Sequence, residues 1–202
     1  MYGLTPTEYR ALPTQTRIIL AASDFHGYRH PWNYNTSPRF PANPGSIPSS
    51  LVDPDRKYID CSSLSLYCIM TAFPEAKWDA PSYAMLQTFK EYLPAQPECS
   101  QTALITMGIG TAIESPAVLR TPAWYVDRIA WPIIVIQGWR AKGPEAAYWK
   151  GHNMLAVVYP EELLILESTT KKAIDGLGWT YRRWSELKNM YPAALYCTLL
   201  ND

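Results

Sequence analysis

The chain has 202 residues, of which 48% are hydrophobic and 13% aromatic, so it can bury a substantial core and is unlike a disordered chain. Its 18 basic side chains balance 18 acidic ones, which argues against long-range attraction to nucleic acid or to an anionic membrane surface. The four cysteines form no Cys-x-x-Cys pair and lie at no metal-ligand spacing from a histidine. We therefore expect neither a zinc site nor a disulfide scaffold.

The N-terminal segment predicts two short helices. Thr5-Pro6-Thr7-Glu8 has the pattern of a capping box with proline at the first helical position, and Pro13 should end that helix. Thr14 is expected to cap a second helix, which ends before Gly27 and has four residues on its apolar side: Ile18, Ile19, Ala22 and Phe25. The segment lacks a basic start followed by an apolar stretch, so we expect no signal peptide. The apolar runs of the chain are too short for membrane insertion.

The middle of the chain combines a long loop, a clear helix and a segment with few signals. Six prolines between Tyr28 and Pro54 predict a loop, which its aromatic residues should help to pack. The spacing of Leu64 and Cys68 predicts a helix over Cys61 to Phe73, which Pro74 ends. Residues 79–125 are interpreted as an insertion-like region with one helix over Tyr83 to Tyr92.

The last third of the chain predicts antiparallel strands. Pro160-Glu161-Glu162 has the composition of a hairpin turn between two apolar runs, and a helical turn is expected near Trp184 to Asn189. The strands are expected over Trp131 to Trp139, Asn153 to Tyr159, Leu163 to Ser168 and Ala194 to Leu199. Helices followed by strands indicate an α+β fold, which we assign to residues 1–202 as one domain.

Cys61 is the best candidate for a nucleophile. A helix N-terminus stabilises a thiolate because its N–H groups have no acceptor within the helix, and Asp60-Cys61-Ser62-Ser63 places the cysteine there. The backbone N–H groups of Cys61 and Ser62 would form an oxyanion hole. Cys68, Cys99 and Cys197 are interpreted as ordinary core residues.

A thiolate also needs a nearby imidazole, and the chain contains three histidines. His152 opens a predicted strand and is the favoured base, whereas His26 and His30 lie at the start of the proline-rich loop. Glu167, an ionisable residue after four apolar ones, is the favoured group to orient the imidazole. Asn153 is the weaker alternative because strand alternation turns it away from His152.

These residues resemble the NlpC/P60 family of papain-like cysteine peptidases. The resemblance follows the order of five pieces along the chain: Arg17 to Phe25, Gly27 to Trp32, Asp60-Cys61-Ser62-Ser63-Leu64, Gly151-His152 and Leu166-Glu167-Ser168. It implies a papain-like fold with N-terminal helices packed on a C-terminal antiparallel sheet. By resemblance Cys61 is the nucleophile, His152 the base and Glu167 the orienting residue. Tyr28 and Tyr34 are candidates for the family's tyrosine near the oxyanion hole.

The resemblance implies hydrolysis of amide bonds in peptidoglycan stem peptides without a metal or organic cofactor. Trp32, Tyr34, Trp149 and Tyr148 are the best candidates for the walls of a substrate groove. We expect a virion-associated or released protein, made in the cytoplasm and acting at the cell wall, with other virion or tail proteins as further partners. The alternatives are a weakly active or inactive structural module and a thiol acyltransferase or deamidase.

A second feature is an aromatic and basic patch late in the chain. Trp179, Tyr181 and Trp184 surround Arg182-Arg183, a composition that could bind an anionic partner. A solvated face is the favoured interpretation.

Overall fold

The computed structural model describes residues 2–25, 27–29, 57–76, 104–112, 132–139, 151–169, 177–191 and 194–201. Within these residues the chain is an α+β structure in which helices pack on an antiparallel sheet. Its helices include α1 (Pro6–Arg10), α2 (Thr14–Ser23), α3 (Cys61–Ala72) and α4 (Trp184–Met190). The α+β prediction is therefore confirmed.

The described strands form one six-stranded sheet in the order β1-β6-β2-β3-β4-β5. The strands are β1 (Gly110–Ala112), β2 (Ile133–Trp139), β3 (Gly151–Val158), β4 (Glu162–Ser168), β5 (Leu177–Arg183) and β6 (Ala194–Leu200). Each neighbouring pair is antiparallel. The four predicted strands are confirmed with small changes at their ends, and Tyr159 donates its backbone N–H to the Glu162 carbonyl at the predicted hairpin turn (3.0 Å).

The first two helices follow the sequence prediction with two corrections. The capping box is present, since Glu8 donates its backbone N–H to Thr5 Oγ1 (3.3 Å) and accepts from the Thr5 N–H (2.8 Å). Thr14 does not cap α2 but is its first residue, and its hydroxyl instead accepts from Arg17 Nη2 (3.2 Å). Ile19 is wrongly placed on the apolar side: it is 43% exposed, because Ile18 and Arg17 occupy the buried side of this helix.

The sheet separates two apolar clusters. One lies between the sheet and the helices α2 and α3, and the strands contribute Ile133, Val135, Leu155, Val157, Leu166 and Leu200 to it. The other lies under α4, and β2, β3 and β4 contribute Ile134, Ile136, Met154, Ala156, Val158, Leu163 and Ile165. Successive residues of a strand point to opposite faces, so burial on both faces explains why these strands are apolar runs without alternation.

Two strands were not expected from the sequence, and some predicted elements lie outside the described residues. The unpredicted strands are β1, which has three residues, and β5, which forms an edge of the described sheet. The helix over Tyr83 to Tyr92 and nearly all of the proline-rich loop lie outside the described residues. Of the insertion-like region 79–125, only residues 104–112 are described, so its boundaries stay a prediction. None of the described helices is long and apolar enough to cross a membrane.

Candidate active site

The beginning of α3 is fixed by its cap and by the segment before it. Asp60 is the N-cap: its Oδ1 accepts from the backbone N–H of Ser63 (2.7 Å) and from the hydroxyl of Ser62 (3.0 Å). The preceding carbonyl, that of Ile59, accepts from Ser168 Oγ at the end of β4 (2.6 Å). These bonds place Cys61, the first residue of α3, beside the end of the sheet.

The strands β3 and β4 part at that end. Their paired register runs from Val158↔Leu163 to Leu155↔Leu166. Each strand stays paired with its other neighbour beyond this point, as far as Trp139↔Gly151 on one side and Ser168↔Leu177 on the other. The first residues of β3 and the last of β4 therefore flank an opening in the sheet.

His152 and Glu167 bridge this opening. His152 Nε2 lies 2.8 Å from Glu167 Oε2, and both side chains are buried. The carboxylate has a second charged partner, because Arg182 Nη2 donates to Glu167 Oε1 (2.6 Å). A carboxylate can only accept, so Nε2 of His152 carries the proton in this bond and Nδ1 is the nitrogen left for another partner.

His152 also forms a side-chain hydrogen bond with Cys61. Burial lowers the pKa of His152, but the Tyr191 phenol, the Cys61 sulfur and hydrogen bonds with Cys61 and Glu167 raise the pKa well above its ordinary value of 6.5. For Glu167 burial raises the pKa, but the bonds from His152 and Arg182 outweigh it and lower the pKa to about 2. The arrangement thus favours an imidazolium between a carboxylate and a sulfur, which is the charge pattern of an activated cysteine.

The site is closed to solvent. Cys61 has 0% exposed surface and His152 has 6%. A substrate therefore reaches the sulfur only after local opening of the structure around the beginning of α3. By contrast, burial raises the pKa of the other two described cysteines, Cys68 and Cys197, as expected for inert core thiols.

Tyr191 is a site residue that the sequence did not reveal. Its ring is nearly parallel to the His152 ring, with centroids 6.3 Å apart and planes inclined by 17°. It lies on Gly138, the residue paired with His152 in β2, and a Cβ at Gly138 would come within 2.4 to 2.7 Å of the ring. Only glycine leaves room for this ring beside the histidine, so Gly138 is a positioning residue for Tyr191.

The other predicted site residues have different outcomes. Ser62 is buried in the first turn of α3, and its hydroxyl bonds to Asp60, so its oxyanion role stays a prediction. Tyr28 packs edge-on against Phe25 in the helix-side core (5.3 Å between centroids), where no described contact joins it to the site. Six residues considered for the site lie outside the described residues: His26, His30, Trp32, Tyr34, Tyr148 and Trp149.

Two further predictions concern the basic patch and metal binding. Arg182 does not belong to a solvated face, because it bonds to Glu167 inside the site, whereas Tyr181 and Arg183 are exposed. No group of three or more histidine, cysteine or acidic side chains within the described residues is arranged to hold a metal ion.

Comparisons of the chain with protein-family models, with curated proteins and with solved structures found no match.

Proposed function

We propose that the chain is a cysteine hydrolase with Cys61 as nucleophile, His152 as base and Glu167 as the residue that orients the base. One observation carries the proposal: the buried imidazole bonds Glu167 through Nε2 at 2.8 Å and also bonds Cys61, with a raised pKa. A helix that begins at the cysteine and packs beside a histidine-bearing antiparallel strand also supports a papain-like NlpC/P60 fold.

The proposed reaction has two steps: acylation of Cys61, and then hydrolysis of the acyl-enzyme. The Cys61 thiolate attacks the amide carbonyl, and the first N–H groups of α3 stabilise the oxyanion. His152 gives its proton to the leaving amine as the C–N bond breaks and an acyl-enzyme forms. The imidazole then takes a proton from water as the water oxygen attacks the thioester carbonyl. The C–S bond breaks, the acid is released, and the Cys61 thiolate and the imidazolium are restored.

We propose peptidoglycan stem peptides as the substrate, following the resemblance of the Asp60-Cys61-Ser62-Ser63 segment to NlpC/P60 enzymes. On this proposal the protein is made in the cytoplasm and acts at the cell wall, as a virion-associated or released hydrolase. Other virion or tail proteins would then be its partners.

The test is release of free amino groups from purified peptidoglycan. We expect release by the wild-type protein and by Cys68→Ala, and none by Cys61→Ala. Cys68 is a matched control because it is buried on the same helix two turns later. Equal release by Cys61→Ala would contradict the proposal.

The burial of Cys61 favours a second candidate, a structural module that keeps the fold without turnover. On that alternative Cys61 is a core thiol, and its alkylation should be as slow as that of Cys68. Absence of amino-group release together with such slow alkylation would support the module and contradict the hydrolase.

A further inference from the structure

The carboxylate of Glu167 has its two oxygens committed to different partners. Oε1 receives Arg182 Nη2 (2.6 Å), Arg182 Nε (3.3 Å) and the Thr180 hydroxyl (3.4 Å). Oε2 receives His152 Nε2 (2.8 Å). Because the donors on Oε1 fix the plane of the carboxylate, Oε2 is held in one direction, toward the imidazole.

We propose that Arg182 is a positioning residue of the site: its guanidinium holds Glu167 so that Oε2 keeps the proton of His152 on Nε2 and leaves Nδ1 for Cys61. This inference rests on the proposed function, since positioning matters only if Cys61 reacts. Arg182 belongs to β5. Among the described residues of this strand, it is the only charged side chain that forms an ion pair with Glu167. Its role is therefore to act through Glu167 and His152 on the thiol.

A purely structural role makes a different prediction. If Arg182 only neutralises a buried carboxylate, Arg182→Lys keeps the charge and should equal the wild-type protein in the readouts described below. If it positions the carboxylate, Arg182→Lys should differ from the wild type as well, and in either case removal of the charge lets Glu167 take up a proton at higher pH, because Arg182 is one of the groups that keep the pKa of Glu167 near 2. The imidazole then loses its fixed acceptor, and the thiol loses its partner.

The neighbouring residue supplies a matched control. Arg183 follows Arg182 in β5, but strand alternation turns it outward, where it is exposed. Arg182→Met and Arg183→Met thus remove the same charge from adjacent positions, one inside the site and one outside it. Arg182→Lys keeps the charge but loses the two-nitrogen contact with Oε1.

The first readout is the ring nitrogen spectrum of His152, which is one of three histidines and is assigned by the signal lost in His152→Gln. We expect the wild-type and Arg183→Met proteins to keep the doubly protonated imidazolium pattern, with the Nε2 proton donated to Glu167, from pH 7 to pH 4. Arg182→Met should show an acid transition at a higher pH than the wild type, because the carboxyl stays buried but loses the guanidinium that lowers its pKa. Arg182→Lys should show a smaller change in the same direction.

The second readout is alkylation of Cys61 by iodoacetamide at pH 5, located by peptide mass spectrometry. We expect Arg182→Met to react about tenfold more slowly than Arg183→Met, the factor for a change of one pKa unit. Spectra and rates of Arg182→Met that match those of Arg183→Met would overturn the inference. If Arg182→Met does not fold, a folded Arg182→Lys that equals wild type in both readouts would overturn it as well.

The two proposals can fail separately. The histidine spectrum needs no substrate, so a protein inactive on peptidoglycan can still show the Arg182 effect. An active hydrolase whose Arg182→Met spectrum and alkylation profile are unchanged would contradict this inference and leave the proposed function intact.

Discussion

Replacing Glu167 by glutamine removes the buried charge that joins His152 to Arg182, and the structure gives the size of the effect. The pKa of this carboxyl falls from 4.5 to about 2 on folding. At about 1.4 kcal/mol per pKa unit, that shift is worth about 3 kcal/mol of folding free energy at neutral pH. Glutamine also leaves two cationic groups without their counter-charge, so we expect Glu167→Gln to lose about 3 kcal/mol or more.

The pH dependence gives the sign of this contribution. Because the pKa of Glu167 is lower in the folded state, its stabilisation is fully present above about pH 4.5 and is lost as the pH falls toward 2. Urea unfolding followed by tryptophan fluorescence at pH 7, 5 and 3 should thus show the difference between wild type and Glu167→Gln shrinking only at the lowest pH.

Glu162→Gln is the matched control, because Glu162 is exposed at the start of the same strand. It should change the free energy of unfolding by less than about 0.5 kcal/mol. A Glu167→Gln effect below about 1 kcal/mol, or one that is equal at pH 7 and pH 3, would refute the reasoning about the buried carboxylate.

Two other substitutions test the positioning of the site. Gly138→Ala would push a methyl group into the Tyr191 ring, because a Cβ at this position comes within 2.4 to 2.7 Å of it. We expect a loss of about 1–3 kcal/mol in the free energy of unfolding by urea, and slower alkylation of Cys61. Wild-type values for both would contradict the close approach. Asp60→Ala removes the cap on the Ser63 N–H and should cost about 1 kcal/mol, whereas Asp60→Asn should keep most of it; equal losses in the two variants would argue against capping.

The helix of the candidate nucleophile was predictable because its signals are local. Asp60 has the side chain of an N-cap, and Pro74 ends the helical pattern one residue after the C-cap Phe73. The strands β2, β3 and β4 were predictable because they are buried on both faces and are therefore nearly continuous apolar runs. His152 and Glu167 were predictable as site residues because each is a polar residue at the end of an apolar strand.

The rest of the site depends on contacts that no local pattern encodes. In the strand β5, an exposed Tyr181 is followed by an inward-facing Arg182. This mixture of aromatic and basic residues has the composition of a surface patch rather than of a strand. Tyr191 reaches His152 only because α4 covers that face of the sheet and Gly138 leaves space for the ring. Ile19 was misplaced because helical periodicity alone does not show which of two adjacent apolar residues faces the core.

The central claim is that Cys61 is an activated thiol, and its rate of alkylation by iodoacetamide as a function of pH tests this most directly. We predict that, between pH 5 and 7, Cys61 of the wild-type protein reacts faster than the same thiol in His152→Ala, because the imidazolium stabilises the thiolate. Rates should be compared after peptide mass spectrometry separates Cys61 from the other cysteines. Equal rates in the two proteins, both rising only above pH 8 as for an ordinary thiol with a pKa of about 8.5, would contradict the account.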